Sequence, residues 1–244
     1  MGIATQKAVV PPLREGDRLT AREYLRRYHA DPDVLRAELI GGVVYVNAVR
    51  RPDGTEGRVS PISCDFHATP QADLIGLLTY YATFTPGVRG SGPVTVIVDD
   101  QTLPEPDAVL RILPECGGAT ALNSRSYVVG PPELLAEVAY SSASRDMGPK
   151  YDAYLAGRVA EYLVWRTAHR EIDLFALRRR RYAAVAPDAD GVLRSGAFPG
   201  LWLDVAALVA GDLRRAFDTL QQGLASPEHA AFVAKLAAKA RRKR

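Results

Sequence analysis

Two short apolar runs, each carrying a carboxylate, constrain this chain more than any other feature. The first, Asp-Ala-Val-Leu-Arg-Ile-Leu, is opened by the pair Pro106–Asp107. The second is Glu-Leu-Leu-Ala-Glu-Val-Ala, with Glu137 near its end. Both read as strands, over 107–113 and 134–139. An acid that enters an apolar strand is costly unless it is paired or bound to a cation. Alternation puts Glu137 on the face shared by Leu135 and Ala139, an apolar face on which a lone carboxylate needs a partner. A Ser-rich loop then leads to Lys150. Two carboxylates on neighbouring strands can hold a hard divalent cation through oxygen. A lysine beside them can orient a water and offset charge on a phosphate under attack. An acid, an acid and a lysine in this order are therefore what a magnesium-dependent phosphodiesterase needs.

Around these runs the chain alternates helical and strand-like pieces. Thr20 is an N-cap with Glu23 at capping-box spacing, so a short helix ends before Asp31–Pro32. Residues 37–48 read as strand, Gly-Gly turn, strand. A helix runs to about Thr83, with Thr69 at its N-cap, Pro70 at its first position and His67 just ahead. Val94 to Val98 is a β-branched strand. Lys150 to Leu155 begins a helix that Gly157 breaks. Three strands, 161–165, 171–177 and 181–185, follow as a meander with Arg178 to Arg181 at a hairpin tip. An apolar strip at 198–203 precedes a helix near 204–222, and Ser226 caps a basic helix near 227–243. Helices interrupting hairpin-linked strands predict an α/β (α+β) fold built on a mixed sheet. The expected division is an irregular arm over 1–17, one domain over 18–225 and a basic helical tail over 226–244. Trp165 and Trp202 are expected in the core.

At 244 residues the chain is long enough for one full core. A net charge of +3 says little about partners, but the last ten residues carry six basic side chains and no acid. That tail suits phosphate contacts, or equally a frayed solubilising end. Cys64 and Cys116 lack metal-ligand spacing, and the N-terminus lacks the apolar core of a signal peptide, so two reduced thiols in a cytoplasmic protein are expected. No apolar run reaches the length of a membrane span.

The segment Glu-Val-Ala-Tyr-Ser-Ser-Ala-Ser-Arg-Asp-Met-Gly-Pro-Lys, residues 137–150, and its continuation to Trp165 resemble the core of the Uma-two-type restriction endonuclease family. So do Ala-Glu-Leu-Ile-Gly-Gly-Val-Val at 37–44, Pro-Glu-Pro-Asp at 104–107 and Phe-Pro-Gly-Leu-Trp-Leu-Asp at 198–204. The family belongs to the PD-(D/E)XK nuclease superfamily, and the resemblance spans roughly residues 18–210. It implies a restriction-endonuclease-like mixed β-sheet flanked by helices and a metal-dependent nuclease centre. Position by position, Asp107 and Glu137 resemble the two metal-binding acids. Lys150 resembles the catalytic lysine, displaced onto the following helix because Ala139 stands where Glu-x-Lys would place it. Glu38 matches the acid that completes the site, and His67 matches a histidine at the next helix. The loop departs from the family's usual Ser-Pro-Ser.

Each residue also has a plainer role. Asp107 suits a turn after proline, Glu137 an exposed strand edge, Lys150 a solvated first helical turn and Glu38 a solvent-facing hairpin. His67 suits a structural polar residue, and Asp146 an N-cap at the margin of the site. The function expected is a DNA endonuclease that uses Mg2+ or Mn2+ and acts as a homodimer. Replacing Lys150 by alanine is then expected to abolish cleavage and leave folding intact. The alternative is a catalytically silent nuclease-fold dimer that binds nucleic acid or protein. A third reading is a hydrolase of another phosphoester.

Overall fold

A computed structural model describes residues 10–58 and 62–242. The first nine residues of the expected arm and the last two basic residues of the tail lie outside them. In chain order the helices are α1 (Ala21–Tyr28), α2 (Thr69–Thr83), α3 (Ala143–Arg145), α4 (Tyr151–Ala156), α5 (Val205–Ala210), α6 (Leu213–Leu224) and α7 (Pro227–Arg242). The strands are β1 (Val34–Ile40), β2 (Val43–Arg50), β3 (Glu56–Arg58), β4 (Val88–Ser91), β5 (Val96–Ile97), β6 (Ala108–Ile112), β7 (Ala121–Leu122), β8 (Val128–Val129), β9 (Leu134–Ala139), β10 (Glu161–Arg166), β11 (Glu171–Arg178), β12 (Arg181–Ala184), β13 (Val192–Arg194) and β14 (Trp202–Asp204).

The central sheet has six strands in the order β12-β11-β10-β9-β6-β4. Only β9 and β10 run parallel; their neighbours are antiparallel, so the sheet is mixed. The meander read from the sequence is β10-β11-β12. Strand β9 is buried along its whole length because both faces of the sheet are covered. Alternation divides its residues. Leu134, Ala136 and Val138 join Leu74, Leu78, Tyr81 and Leu220 in one core, whereas Leu135 and Ala139 join Val109, Tyr154 and Tyr162 in the other. Glu137 follows the second set. A third cluster packs α1 against the β1–β2 hairpin through Tyr24, Leu39 and Val44. An isolated bridge from Leu39 to Leu103 carries that hairpin over the approach to β6.

Local signals set most boundaries. Thr20 Oγ1 accepts from Glu23 N, and Ser226 Oγ from His229 N. Helix α2 does not begin at a Thr69 cap. A π-helical turn, Cys64–Ala68, precedes it without a break, and Ser63 Oγ caps that turn by accepting from Phe66 N. A second π-helical turn, Asp146–Lys150, feeds α4 and contains Pro149. Its wider winding accommodates the residue without a backbone donor. The strand read over 94–98 is shortened to β5. The long helix read over 204–222 is two helices, because Gly211 takes a left-handed conformation (φ 73°) and Asp212 caps a new start. The basic tail is helical as expected, and Phe232 and Leu236 enter the first core, so α7 is docked on the sheet domain. Trp165 is buried. Trp202 is instead only partly buried, with Arg194 stacked 3.6 Å above its ring.

Candidate active site

Four elements converge at the C-terminal end of β9. Strand β9 supplies Glu137, the residue before β6 supplies Asp107, β1 supplies Glu38, and the π-helical turn after α3 supplies Asp146 and Lys150. Lys150 lies at the centre. Its Nζ is 2.9 Å from Glu137 Oε1, 3.0 Å from Glu38 Oε1 and 3.7 Å from Asp146 Oδ1. Only 3% of Lys150 is exposed, so a solvated first-turn lysine is ruled out. Alanine there would strip three buried carboxylates of their shared cation, so a loss of stability is expected where the sequence alone suggested intact folding.

The partners of each group fix its charge. Tyr154 Oη donates to Glu137 Oε1 at 2.8 Å. Burial, with Asp146, Asp107 and Glu38 nearby, pushes the Glu137 carboxyl well above the usual carboxylate range, against the pull of Lys150. Burial acts on Glu38 in the same direction. There the Lys150 and Arg145 charges and the Glu105 N–H prevail, and the carboxyl stays below its ordinary value. Glu38 Oε2 also accepts from Asn47 Nδ2. Asp146 is raised by burial despite Lys150 and the Ser142 hydroxyl that donates to Oδ2. Its Oδ1 is buried without a hydrogen bond. Burial disfavours the Lys150 ammonium, but Glu137, Glu38 and Asp146 outweigh that effect and hold its pKa above the ordinary lysine value.

Asp107 stands beside this knot. Its Oδ2 accepts from Val138 N and its Oδ1 from Gln71 Nε2, each at 2.7 Å. His67 Nε2 is 3.5 Å from Oδ1. The other ring nitrogen, Nδ1, is 2.9 Å from Val138 O, a pure acceptor, so Nδ1 carries a proton. The Asp107 carboxylate raises the His67 pKa, with burial opposing it. Asp107, Glu137, Lys150, Glu38 and His67 thus share one site. They open onto a cleft of about 1060 Å³ that Arg14, Arg36 and Arg145 also line.

From the sequence Asp146 falls only at the margin of the site, and Tyr154 and Arg145 are not singled out. A signal for two of them was present. Asp146, Lys150 and Tyr154 recur every four residues, which is one face of a helix. Arg145 is held by Asn47 Oδ1 across the cleft, a contact with no local signature.

The donor set suits a magnesium-type ion, because every candidate ligand atom is a hard carboxylate oxygen. Among the described residues no three His, Cys, Asp or Glu side chains form a ready-made cage. Magnesium does not need one, since one or two carboxylates commonly hold it together with waters and substrate phosphate.

Comparisons with known proteins agree with this architecture. A crystal structure of a putative nuclease belonging to DUF820, from Anabaena variabilis ATCC 29413, superposes with a TM-score of 0.50 at 10% identity. The match covers 80% of this chain and 98% of that one. At that identity the likeness concerns the fold alone. None of the curated proteins matches the chain. No helix among the described residues is long and apolar enough to cross a membrane. The model of one family, Uma2, described as putative restriction endonuclease, matches residues 21–206, and by that match the chain belongs to the Uma2 family.

Proposed function

We propose that the protein is a divalent-metal-dependent endonuclease that hydrolyses DNA phosphodiesters. The observation that carries this reading is the convergence of Glu137, Glu38 and Asp146 on one buried ammonium, beside Asp107 at the floor of a cleft. Asp107 and Glu137 would hold Mg2+ or Mn2+. The bound ion supplies polarisation of the scissile phosphate and a water of lowered pKa. Lys150 carries three N–H donors, and two are committed at hydrogen-bond distance to Glu137 and Glu38. The third faces Asp146 from beyond bonding range and is left for a phosphate oxygen or the attacking water. Tyr154 keeps Glu137 in position. Cutting both strands of a duplex requires one centre per strand, for which a homodimer is the economical arrangement.

One observation favours a second reading. Lys150 already gives Glu137 and Glu38 a counter-ion, as a silent structural centre would. The protein would then be a nuclease-fold binding module. Plasmid nicking with manganese, magnesium or chelator separates the two, with Asp107→Asn as the control that keeps side-chain volume and an acceptor for Val138 N. The expected result is metal-dependent nicking that falls by about a hundredfold or more in Asp107→Asn. Equal nicking in chelator or in the variant would refute the mechanism. No nicking by the intact protein, with no stabilisation by either metal, would favour the binding module.

A further inference from the structure

Phe66 and Tyr140 form a stacked pair that belongs to none of the hydrophobic cores. Their ring centroids are 4.8 Å apart and their planes differ by 9°, yet Phe66 is 46% and Tyr140 43% exposed. Exposed aromatic surface of this kind is unusual unless something covers it. Both rings are held from firm backbone. Tyr140 directly follows β9, three residues beyond Glu137, and lines the cleft. Phe66 sits in the π-helical turn next to His67, where its N–H is bound by Ser63 Oγ and its carbonyl accepts from Thr167 Oγ1 at 2.6 Å. Ile62, 46% exposed, continues the apolar rim into the cleft.

The floor below this rim is buried. Glu38, Glu137, Asp146 and Lys150 are each no more than 4% exposed. A phosphate must therefore enter the cleft to meet them. Two stacked rings beside such a floor match the way proteins hold single strands, where bases stack on aromatic side chains and cations follow the backbone. Arg14, Arg36 and Arg145 in the cleft supply the cations, with Arg36 also paired to Glu105 and Arg145 3.9 Å from Glu38.

We infer that the Phe66–Tyr140 pair is a stacking platform for an unpaired nucleobase next to the scissile phosphate, so that the substrate is a single-stranded or locally unpaired nucleic acid. This rests on the nuclease reading of the neighbouring carboxylates. An unpaired strand requires only one centre, so a dimer is not needed for its cleavage.

The test is fluorescence anisotropy in chelator, with a labelled single-stranded 20-nucleotide DNA and the matching duplex as probes. The proteins are the intact chain, Phe66→Ala, Tyr140→Ala and Tyr140→Phe, each checked for an unchanged melting temperature. The intact chain is expected to bind the single strand more tightly than the duplex. Each alanine variant should lose about tenfold in single-strand affinity, and Tyr140→Phe should retain it because the ring does the stacking. Equal binding of both probes, unchanged affinity in both alanine variants, or no binding of either probe would overturn the inference. The nuclease reading fails separately. Single-strand binding that depends on the platform, without metal-dependent cleavage, would leave the platform in place and remove the activity. Duplex cleavage unaffected by both alanine variants would do the reverse.

Discussion

Lys150→Met should destabilise the protein strongly at neutral pH and much less in acid. The ammonium is nearly inaccessible and lies 2.9 and 3.0 Å from two carboxylates whose exposure is also small. Methionine fills much of the same volume, so the loss is electrostatic rather than a cavity. Removing one member of a buried ion pair costs about 3–5 kcal/mol, because the remaining charge has no compensation. For a chain of this size each kcal/mol shifts the melting temperature by roughly 2–4 °C, so a fall of roughly 6–20 °C is expected. The sign of the pH dependence follows from Glu38. In the intact protein Lys150 helps to hold its carboxyl below the ordinary value. Without that cation, burial raises it, and burial already raises Glu137 and Asp146. The folded variant then binds more protons than the unfolded chain above the ordinary carboxylate pKa, so its stability climbs as pH falls toward that value. Thermal melts of both proteins from pH 5 to 8 read this directly. A loss below about 1 kcal/mol at pH 7.5, with a deficit that does not change with pH, would refute the buried pairing.

Three further outcomes concern Gly118, Glu161 and the candidate metal ligands. A Cβ on Gly118 would lie 1.8 Å from the Ile112 carbonyl oxygen, a backbone atom that cannot step aside, so Gly118→Ala should lose about 3 kcal/mol in urea unfolding. Burial raises the Glu161 carboxyl above its ordinary 4.5 despite donors from Ser195, Gly196 and Ala197. The folded state therefore keeps that proton longer, and stability drains away as pH rises from 4.5 through the folded value. Melts of Glu161→Gln should show the variant gaining on the intact protein across that window. If Asp107 and Glu137 hold the cation, manganese at a hundredfold excess over its dissociation constant should stabilise the protein by about 2.7 kcal/mol, and Asp107→Asn should abolish that gain.

The strand runs were legible because burial writes them into composition. Strand β9 is covered on both faces and β6 is almost wholly buried, so their apolar content could not be mistaken for loop. The place of Glu137 was legible too, since a period of two fixes the face once the strand is known. Segments whose form depends on contacts distant in sequence were not legible. The π-helical turns at 64–68 and 146–150 have no local signature, and the first is steadied by Thr167, a hundred residues away. The burial of Lys150 depends on Glu38 arriving from a hairpin at the other end of the domain, and no pattern near position 150 announces that. Trp202 looked like core by type, but its indole lies under Arg194 because an amphipathic ring can be covered by a cation as well as by apolar atoms.

The chain contains two solutions to the problem of a buried carboxylate, and the difference between them bears on function. Glu161 accepts hydrogen bonds from neutral donors, a serine hydroxyl and two backbone N–H groups, with the Arg178 charge also favouring its ionised form and no other acid in its set of partners. That is how a fold keeps a carboxylate for structure. Glu137 is treated otherwise. Three further acids, Asp146, Asp107 and Glu38, all oppose its ionisation, and one ammonium is shared among three of the four. Such a knot gains little stability, because well-packed apolar side chains of similar volume commonly do as well or better than a buried ion cluster. Selection for stability alone gives no reason to bring like charges together where water cannot screen them. A cluster of acids that can exchange a proton for a further cation does give one. Four acids gathered around one buried ammonium, set against the arrangement at Glu161 elsewhere in the same sheet, are what motivate the proposed metal-assisted reaction.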